Sequence, residues 1–400
     1  MGLRGEAAIV GMVELPPERK ATRKPATSLE QWTTLAKQAL DDAGIRPDQV
    51  DGICTSGIRE SDAFVPSTIV EYLGLPVNYA EYVDLGGATA AGMIWRAAAA
   101  IELGLASVVL CVAPGGRLPD AETAALASRG PSYGASSNLY GSPQAEFEIP
   151  FGYLGQNGPY ATIARRYAAE FGYDARALAK ISVDQRTSAL SYPPAVFHGR
   201  PITIDDVLAS PMIADPIHLL EIVMPCYGGA AVVVASADVA RRAARNRPVY
   251  VKGFGERVAW KMPPYAADLM HSPIKQAAEQ AFAMTSVSHG DIDMISVYDC
   301  YTITVLMTIE NAGFCDLGQG AEFVNSHDLT FRGDFPCNTH GGQLSFGQAG
   351  LAGGMSHVCD AARQIMGRSG DAQVRDCDTA FVSGNGGIMS EQSALILQGA

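Results

Sequence analysis

Four potentially reactive side chains stand in a row at Tyr298-Asp299-Cys300-Tyr301, where an apolar run ends and a helix over Thr302 to Asn311 is predicted. Strand ends of this kind are where α/β folds place their chemistry. A second polar set lies at Pro336-Cys337-Asn338-Thr339-His340-Gly341-Gly342-Gln343-Leu344-Ser345-Phe346-Gly347-Gln348. Asn338, His340, Ser345 and Gln348 gather around a Gly-Gly step that leads into a helix. Such a turn offers backbone N–H groups at a helix start, and its glycines let an anion or oxyanion approach closely. Two further glycine turns, Gly86-Gly87 and Gly384-Asn385-Gly386-Gly387, have the same potential. The chain has no P-loop, no GxGxxG after a strand, no HExxH and no GxSxG.

The elements that must position these residues can be read from hydrophobic periodicity. Ala7–Gly11, Val50–Cys54, Ser107–Val112, Val232–Ala235 and Val249–Gly253 read as buried strands. Leu29–Ala43, Pro66–Leu73 and an Ala-rich stretch ending near Leu103 read as helices, and the alternation argues for an α/β sandwich. Between about 115 and 200 the texture changes to Pro, Ser, Tyr and Gly followed by two helical stretches, as expected of an insertion covering one face. Arg241 to Pro248 reads as a basic linker, and Gly384–Gly387 as a flexible turn after the last strand.

The two halves echo one another in order. Asp41–Ile53 recurs in outline at Ala283–Ile295. The Gly86-Gly87 turn with its small-residue helix recurs at Gly341-Gly342 and the helix ending at Gly367. Ser107–Cys111 recurs at Thr379–Ser383. An offset of roughly 240–270 residues is too long for a solenoid repeat and indicates a duplicated domain. The halves divide at 1–247 and 248–400.

Composition bounds the function classes. The 400 residues carry 29 Lys+Arg against 42 Asp+Glu, a net charge of −13, which disfavours nonspecific binding to nucleic acid or anionic membrane. The chain is 48% hydrophobic and 18% charged, so a large core is expected and disorder is not. The eight cysteines form no CxxC pair, which argues against a zinc site and for buried thiols in a reducing cytoplasm. The longest apolar stretch, Ala88 to Ala113, is broken by Arg96, Glu102 and a turn at Leu103-Gly104, so no membrane span is expected.

Together these residues resemble the thiolase superfamily, and within it the sterol-carrier-protein or lipid-transfer type. Tyr298-Asp299-Cys300-Tyr301 stands where that branch reads His-Asp-Cys-Phe. Asn311-Ala312-Gly313-Phe314-Cys315 and Asn338-Thr339-His340-Gly341-Gly342 match it as well. The resemblance covers nearly the whole chain, most weakly at 115–200. It implies a five-layered αβαβα sandwich of duplicated halves with an inserted loop domain, dimerising through the sheet edge of the first half. A large apolar interface of that kind suits the apolar composition.

The departures carry the functional information. A thiolase takes up an acyl group on a Cys at the head of the first Gly/Ala-rich helix; counting back from Gly104, that place is Gly87. The Gly-His-Pro motif reads Gly347-Gln348-Ala349, the His of His-Asp-Cys-Phe is Tyr298, and the late cysteine is replaced around Ser383. Covalent acyl-enzyme chemistry is therefore not expected. Members of this branch without the Cys resemble steroid side-chain-cleaving aldolases, which implies retro-aldol cleavage of a β-hydroxyacyl-CoA. That reaction needs a base for the hydroxyl proton and donors for the thioester enolate. Tyr298 and Tyr301 are candidate bases, provided neighbours lower a pKa of about 10; His340 competes, and Asp299 and Cys300 complete the catalytic set. Gly87, Asn338, Gln348, Ser345 and Gly387 are the expected substrate and oxyanion contacts. Two alternatives stand beside the aldolase: an unconventional acyl-CoA acyltransferase or thiolase, and a noncatalytic acyl-CoA or lipid scaffold. No metal is expected, and no cofactor beyond the coenzyme A of the substrate. The resemblance also implies a small OB-fold, zinc-ribbon partner forming a heterotetramer with a homodimer of this chain.

Overall fold

A computed structural model describes residues 4–20, 22–23, 26–115, 141–153, 155–243 and 245–400. The first three residues and the 116–140 part of the expected insertion lie outside the described residues. Among these residues nine strands build one mixed sheet: β1 (Ala8–Glu18), β2 (Gly52–Thr55), β3 (Tyr79–Tyr82), β4 (Val108–Gly115), β7 (Tyr227–Ala235), β8 (Val249–Val258), β9 (Met294–Ser296), β10 (Thr379–Gly386) and β11 (Glu391–Gly399). Their order is β3-β2-β4-β7-β1-β8-β11-β10-β9, and β5 (Met212–Ala214) with β6 (Ile217–His218) forms a separate hairpin.

The duplication is visible in the ladders. In the first half β2 runs parallel to β4, which pairs antiparallel with β7; in the second, β9 runs parallel to β10, which pairs antiparallel with β11. Even the outer strand has its counterpart. β3 lies parallel to β2, and the segment around Cys337 forms a parallel bridge to Ile295 of β9. The half-sheets meet where Ala8 and Ile9 pair with Tyr250 and Val249.

Side-chain alternation along the strands generates the layers. On β4, Val108, Leu110 and Val112 join one apolar cluster with Trp32, Leu35 and Ala39 of α1 (Ser28–Ala43) and Ile69 of α2 (Val65–Leu73). The intervening Val109, Cys111 and Ala113 face the central layer of α3 (Thr89–Glu102) and, from the second half, the helix Ala352–Ile365. On β10, Ala380 and Val382 face the same central layer, while Phe381 points to the outer layer of helices Ile274–Ala283 and Thr302–Asn311. The five-layered αβαβα sandwich follows. Truncating a fully buried central side chain such as Ile94 to Ala would cost about 2–5 kcal/mol.

Two sequence expectations need correction. The segment read as a linker opens as a helix, Ala237–Ala243, and is tied down beyond it. Asn246 donates to the Val10 and Asp42 carbonyls and Arg247 to that of Ile365, because carbonyls near strand and helix ends need external donors. Gly384–Gly386 belongs to β10, and the last strand is β11; the glycine run leads into the β10–β11 hairpin. Among the described residues no helix is long and apolar enough to cross a membrane.

Candidate active site

Further along the chain lie helices α4 (Asn157–Phe171), α5 (Ala175–Leu190), α6 (Ile274–Ala283), α7 (Thr302–Asn311) and α8 (Ala352–Ile365). A cavity of about 350 Å³ opens where the head of α3, the β10–β11 hairpin and the segment between β9 and α7 converge. Gly86, Gly87, Gly386 and Gly387 supply backbone walls. Tyr298, Cys300, Tyr160 and Asn385 supply polar side chains, and Asp84, Lys261 and Glu391 bring charges to the lining.

Gly87 at the head of α3 has no room for a side chain. A Cβ there would lie 2.3 Å from Cζ of Tyr298 and 2.3 Å from the Asn385 carbonyl oxygen. The phenol of Tyr298 thus occupies the space that a residue at 87 would need. Gln348 Nε2 donates to the Tyr298 hydroxyl at 3.2 Å from behind. The Tyr298 backbone N–H donates to Ser383 Oγ at 3.3 Å.

Of the ten residues expected at the site, Gly87, Tyr298, Cys300 and Gly387 line the cavity, and Gln348 stands directly behind Tyr298. The other five are buried around it. Tyr301 stacks on Tyr160 with centroids 4.2 Å apart and donates to Asn157 Oδ1 at 2.6 Å. Asp299 accepts from the backbone N–H groups of Gln343 and Leu344 at 2.9 and 3.2 Å, capping the short helix Gly342–Ser345. Gly342 is required beside it, since a Cβ would meet Asp299 Oδ2 at 2.2 Å. Asn338 adopts a left-handed φ of 53° and staples the strand end, with Oδ1 accepting from Val297 N at 2.7 Å and Nδ2 donating to Val297 O at 2.9 Å. Ser345 accepts from Arg186 Nε on α5 at 2.9 Å. Ser383 also stands back from the cavity; two residues along β10, Asn385 is the polar residue that reaches it.

His340 belongs to a buried charge network. Its Nδ1 lies 3.1 Å from Asp360 Oδ2 on α8, at ion-pair distance though off the line of a hydrogen bond. Burial pushes its pKa down, but the Asp360 carboxylate outweighs burial and leaves it raised; the Asp360 carboxyl is lowered, burial notwithstanding, by His340. Ser296 bridges Asp360 to His357, and His357 Nε2 stands 3.1 Å from Asp299. This network braces the loop carrying Asn338–Gln348 against the strand end carrying Tyr298.

Cys300 is not a poised nucleophile. Burial pushes its thiol up to about 12, so it is protonated near neutrality, whereas thiolates do the attacking. Burial likewise pushes the Tyr160 phenol well above its ordinary value and raises the Glu391 carboxyl against the opposing pull of Lys261. The residues missed by sequence reasoning are Tyr160, Asn385 and the charged trio. Asn385 carried a signal, since it interrupts the glycine run. Tyr160 sits in the inserted region, where no motif marks it.

Residues 255–399 match the family described as thiolase C-terminal domain-like. The chain is 30% identical to a steroid side-chain-cleaving aldolase of Thermomonospora curvata over 99% of its own length and 98% of the relative's. It is 29% identical to a 17-hydroxy-3-oxo-4-pregnene-20-carboxyl-CoA lyase of Mycobacterium tuberculosis, over 92% and 93% of the two chains. Among solved structures, the Ltp2-ChsH2(DUF35) aldolase superposes with a TM-score of 0.84 at 28% identity, covering 99% of this chain and 98% of that one. With its nucleophile position closed by Tyr298 and its relatives matched end to end, the chain belongs to the thiolase superfamily, in the branch of the side-chain-cleaving aldolases.

Proposed function

We propose that this chain is a carbon–carbon lyase that cleaves a β-hydroxyacyl-CoA by a retro-aldol reaction, releasing a ketone and a shorter acyl-CoA. The observation that carries the reading is the Tyr298 phenol standing in the side-chain space of Gly87, at a cavity walled by glycine backbone. That arrangement removes the acyl acceptor of a thiolase and puts an acid–base group in its place.

Tyr298, its oxygen held by the Gln348 amide, takes the proton of the β-hydroxyl as general base. The Cα–Cβ bond breaks, the hydroxyl carbon becomes a ketone, and the electron pair moves into the thioester as an enolate. A proton then returns to Cα, so the reaction consumes none overall. Gly86 and Gly87 line the cavity, and their backbone N–H groups would serve as donors to the developing oxyanion. Tyr301 and His340, which do not line the cavity, act through packing and charge.

The names of the relatives support a CoA-linked steroid side chain as substrate. The superposed Ltp2-ChsH2(DUF35) aldolase supports a separate partner for this chain, which we take to be the small OB-fold, zinc-ribbon protein. A homodimer through the free edge of β3 completes the proposed assembly.

The test is to purify the chain with such a partner and supply β-hydroxyacyl-CoA esters bearing a bulky ring as the ketone-forming group. Ketone and shorter acyl-CoA should appear together by mass spectrometry and be lost with Tyr298→Phe. Release that survives Tyr298→Phe would remove the tyrosine from its role. No release from any hydroxyacyl-CoA would overturn the reading.

A further inference from the structure

Beyond Tyr298, the cavity contains a second phenol whose hydrogen bonding is directed. Gln392 lies directly across the β10–β11 ladder from Asn385, and its Nε2 donates to Asn385 Oδ1 at 2.8 Å. With that oxygen occupied, Asn385 Nδ2 donates to the Tyr160 hydroxyl oxygen at 3.0 Å. A phenol oxygen that accepts one hydrogen bond still has its own O–H to give. That O–H lies close to Cys300 Sγ, which also accepts from Asn385 Nδ2 at 3.6 Å, and sulfur is a weak acceptor. All four groups are nearly inaccessible to water, and three of them line the cavity. Stacking against Tyr301 fixes the plane of the Tyr160 ring.

We propose that Tyr160 is a second catalytic residue, whose O–H donates the hydrogen bond that holds the thioester enolate oxygen, with Asn385 and Gln392 as the positioning residues that aim it. The inference rests on the retro-aldol reading and deepens it. In the resting site the phenolic proton has only a thiol, a weak acceptor, close by. A substrate oxygen on which negative charge develops is a far better acceptor and takes the bond over, while no proton need leave Tyr160. A preorganised donor in a dry site stabilises the transition state more than it would in water. Burial keeps this phenol protonated. The two tyrosines thus divide the work: Tyr298 accepts the hydroxyl proton, and Tyr160 holds the charge left on the thioester.

The experiment compares wild type, Tyr160→Phe and Asn385→Asp, each purified with the partner protein, in two readouts. The first is cleavage of a β-hydroxyacyl-CoA. The second is binding of two non-reacting probes, a CoA thioether ending in a carboxylate, which imitates the enolate charge, and one ending in an uncharged alkyl group. Tyr160→Phe keeps the ring stacked on Tyr301 and should lower kcat by about 10²-fold or more, the usual loss for one oxyanion donor. Asn385→Asp keeps the size but presents an acceptor to Tyr160, turning its O–H away from the cavity, and should reproduce the loss with Tyr160 intact. Tyr160→Phe, which adds no charge, should bind the carboxylate probe at least tenfold more weakly and the alkyl probe unchanged, which neither a general loss of folding nor charge repulsion could produce. If wild type cleaves and Tyr160→Phe or Asn385→Asp cleaves within twofold of it, the inference fails while the function stands. If wild type cleaves nothing, the function fails, and an unchanged preference for the carboxylate probe in Tyr160→Phe would then overturn the role of Tyr160.

Discussion

Gly87 and Tyr298 compete for one volume: a Cβ on Gly87 would sit 2.3 Å from the Tyr298 ring carbon Cζ, well inside any permitted contact. A nucleophilic side chain at 87 and a phenol at 298 are therefore mutually exclusive in this backbone. Reinstating the cysteine with Gly87→Cys should not restore thiolase activity. The new side chain must displace the Tyr298 ring and also press on the Asn385 carbonyl, which cannot move without disturbing β10. Overpacking of this kind costs about 1–3 kcal/mol. The expected result is a lower melting temperature and loss of lyase activity, with no acyl adduct on the introduced thiol by intact-protein mass spectrometry. Acylation of the Gly87→Cys variant at that thiol, with normal stability, would contradict the exclusion.

Cys300 lines the same cavity yet should stay inert. With its thiol pushed up to about 12 by burial, alkylation by iodoacetamide at pH 7–8 should leave Cys300 unmodified in the folded protein, as peptide mapping can check. The same shift has a sign in stability. A thiol whose folded pKa lies above its ordinary value of 9.0 holds its proton in the native state after the unfolded chain has released it. Its contribution is therefore neutral below about pH 8 and turns against folding as pH rises through the unfolded value. Cys300→Ala should flatten the alkaline fall in melting temperature.

His340 and Asp360 make the opposite kind of prediction. The raised His340 pKa supplies stability that is complete below its ordinary value of 6.5 and lost as pH rises through the folded value. The lowered Asp360 pKa supplies stability that is complete above its ordinary 3.8 and lost as pH falls through the folded value. The pair is at full strength between those limits. Arg363 and Glu14, which also face His340, act on it with opposite signs. Breaking a buried pair costs about 3–5 kcal/mol. The melting-temperature gap between wild type and His340→Gln should be widest near pH 4–6.5 and narrow on either side. A gap independent of pH would show that the charges contribute nothing.

Much of the architecture was legible because periodicity reports burial. The alternation of Val108–Val112 and the Ala-rich run of α3 both encode surfaces covered on all sides, and the order of echoes encodes the duplication. The site was only half legible, for a geometric reason. Tyr298 and Cys300 are two residues apart and face the cavity, while Asp299 between them points to the Gly342 turn and Tyr301 beyond them packs under Tyr160. Sequence proximity marked all four alike. Tyr160 is nearly 140 residues away from them in sequence and was invisible for the converse reason, since only the folded chain brings it beside Cys300.

Asn338 separates a structural from a catalytic reading most cleanly. Its type and its place before Gly341-Gly342 suggest an oxyanion donor, but both ends of its amide are engaged by Val297, one residue before Tyr298. Asn338→Ala removes both hydrogen bonds and puts a less tolerant residue at a left-handed φ, together worth about 1–3 kcal/mol. Asn338→Asp keeps the left-handed tolerance and the acceptor for Val297 N–H, but it loses the donated bond and sets a buried carboxyl against the Val297 carbonyl. Melting temperatures should therefore fall below wild type in both variants. An oxyanion donor would behave differently, because the two variants lack the donated N–H equally and Asn338→Asp adds a negative charge beside the enolate. If kcat per folded molecule drops about 10²-fold or more in both variants, with Asn338→Asp the worse, Asn338 holds the enolate. The staple geometry instead predicts that the activity each variant loses tracks the stability it loses, with kcat per folded molecule close to wild type.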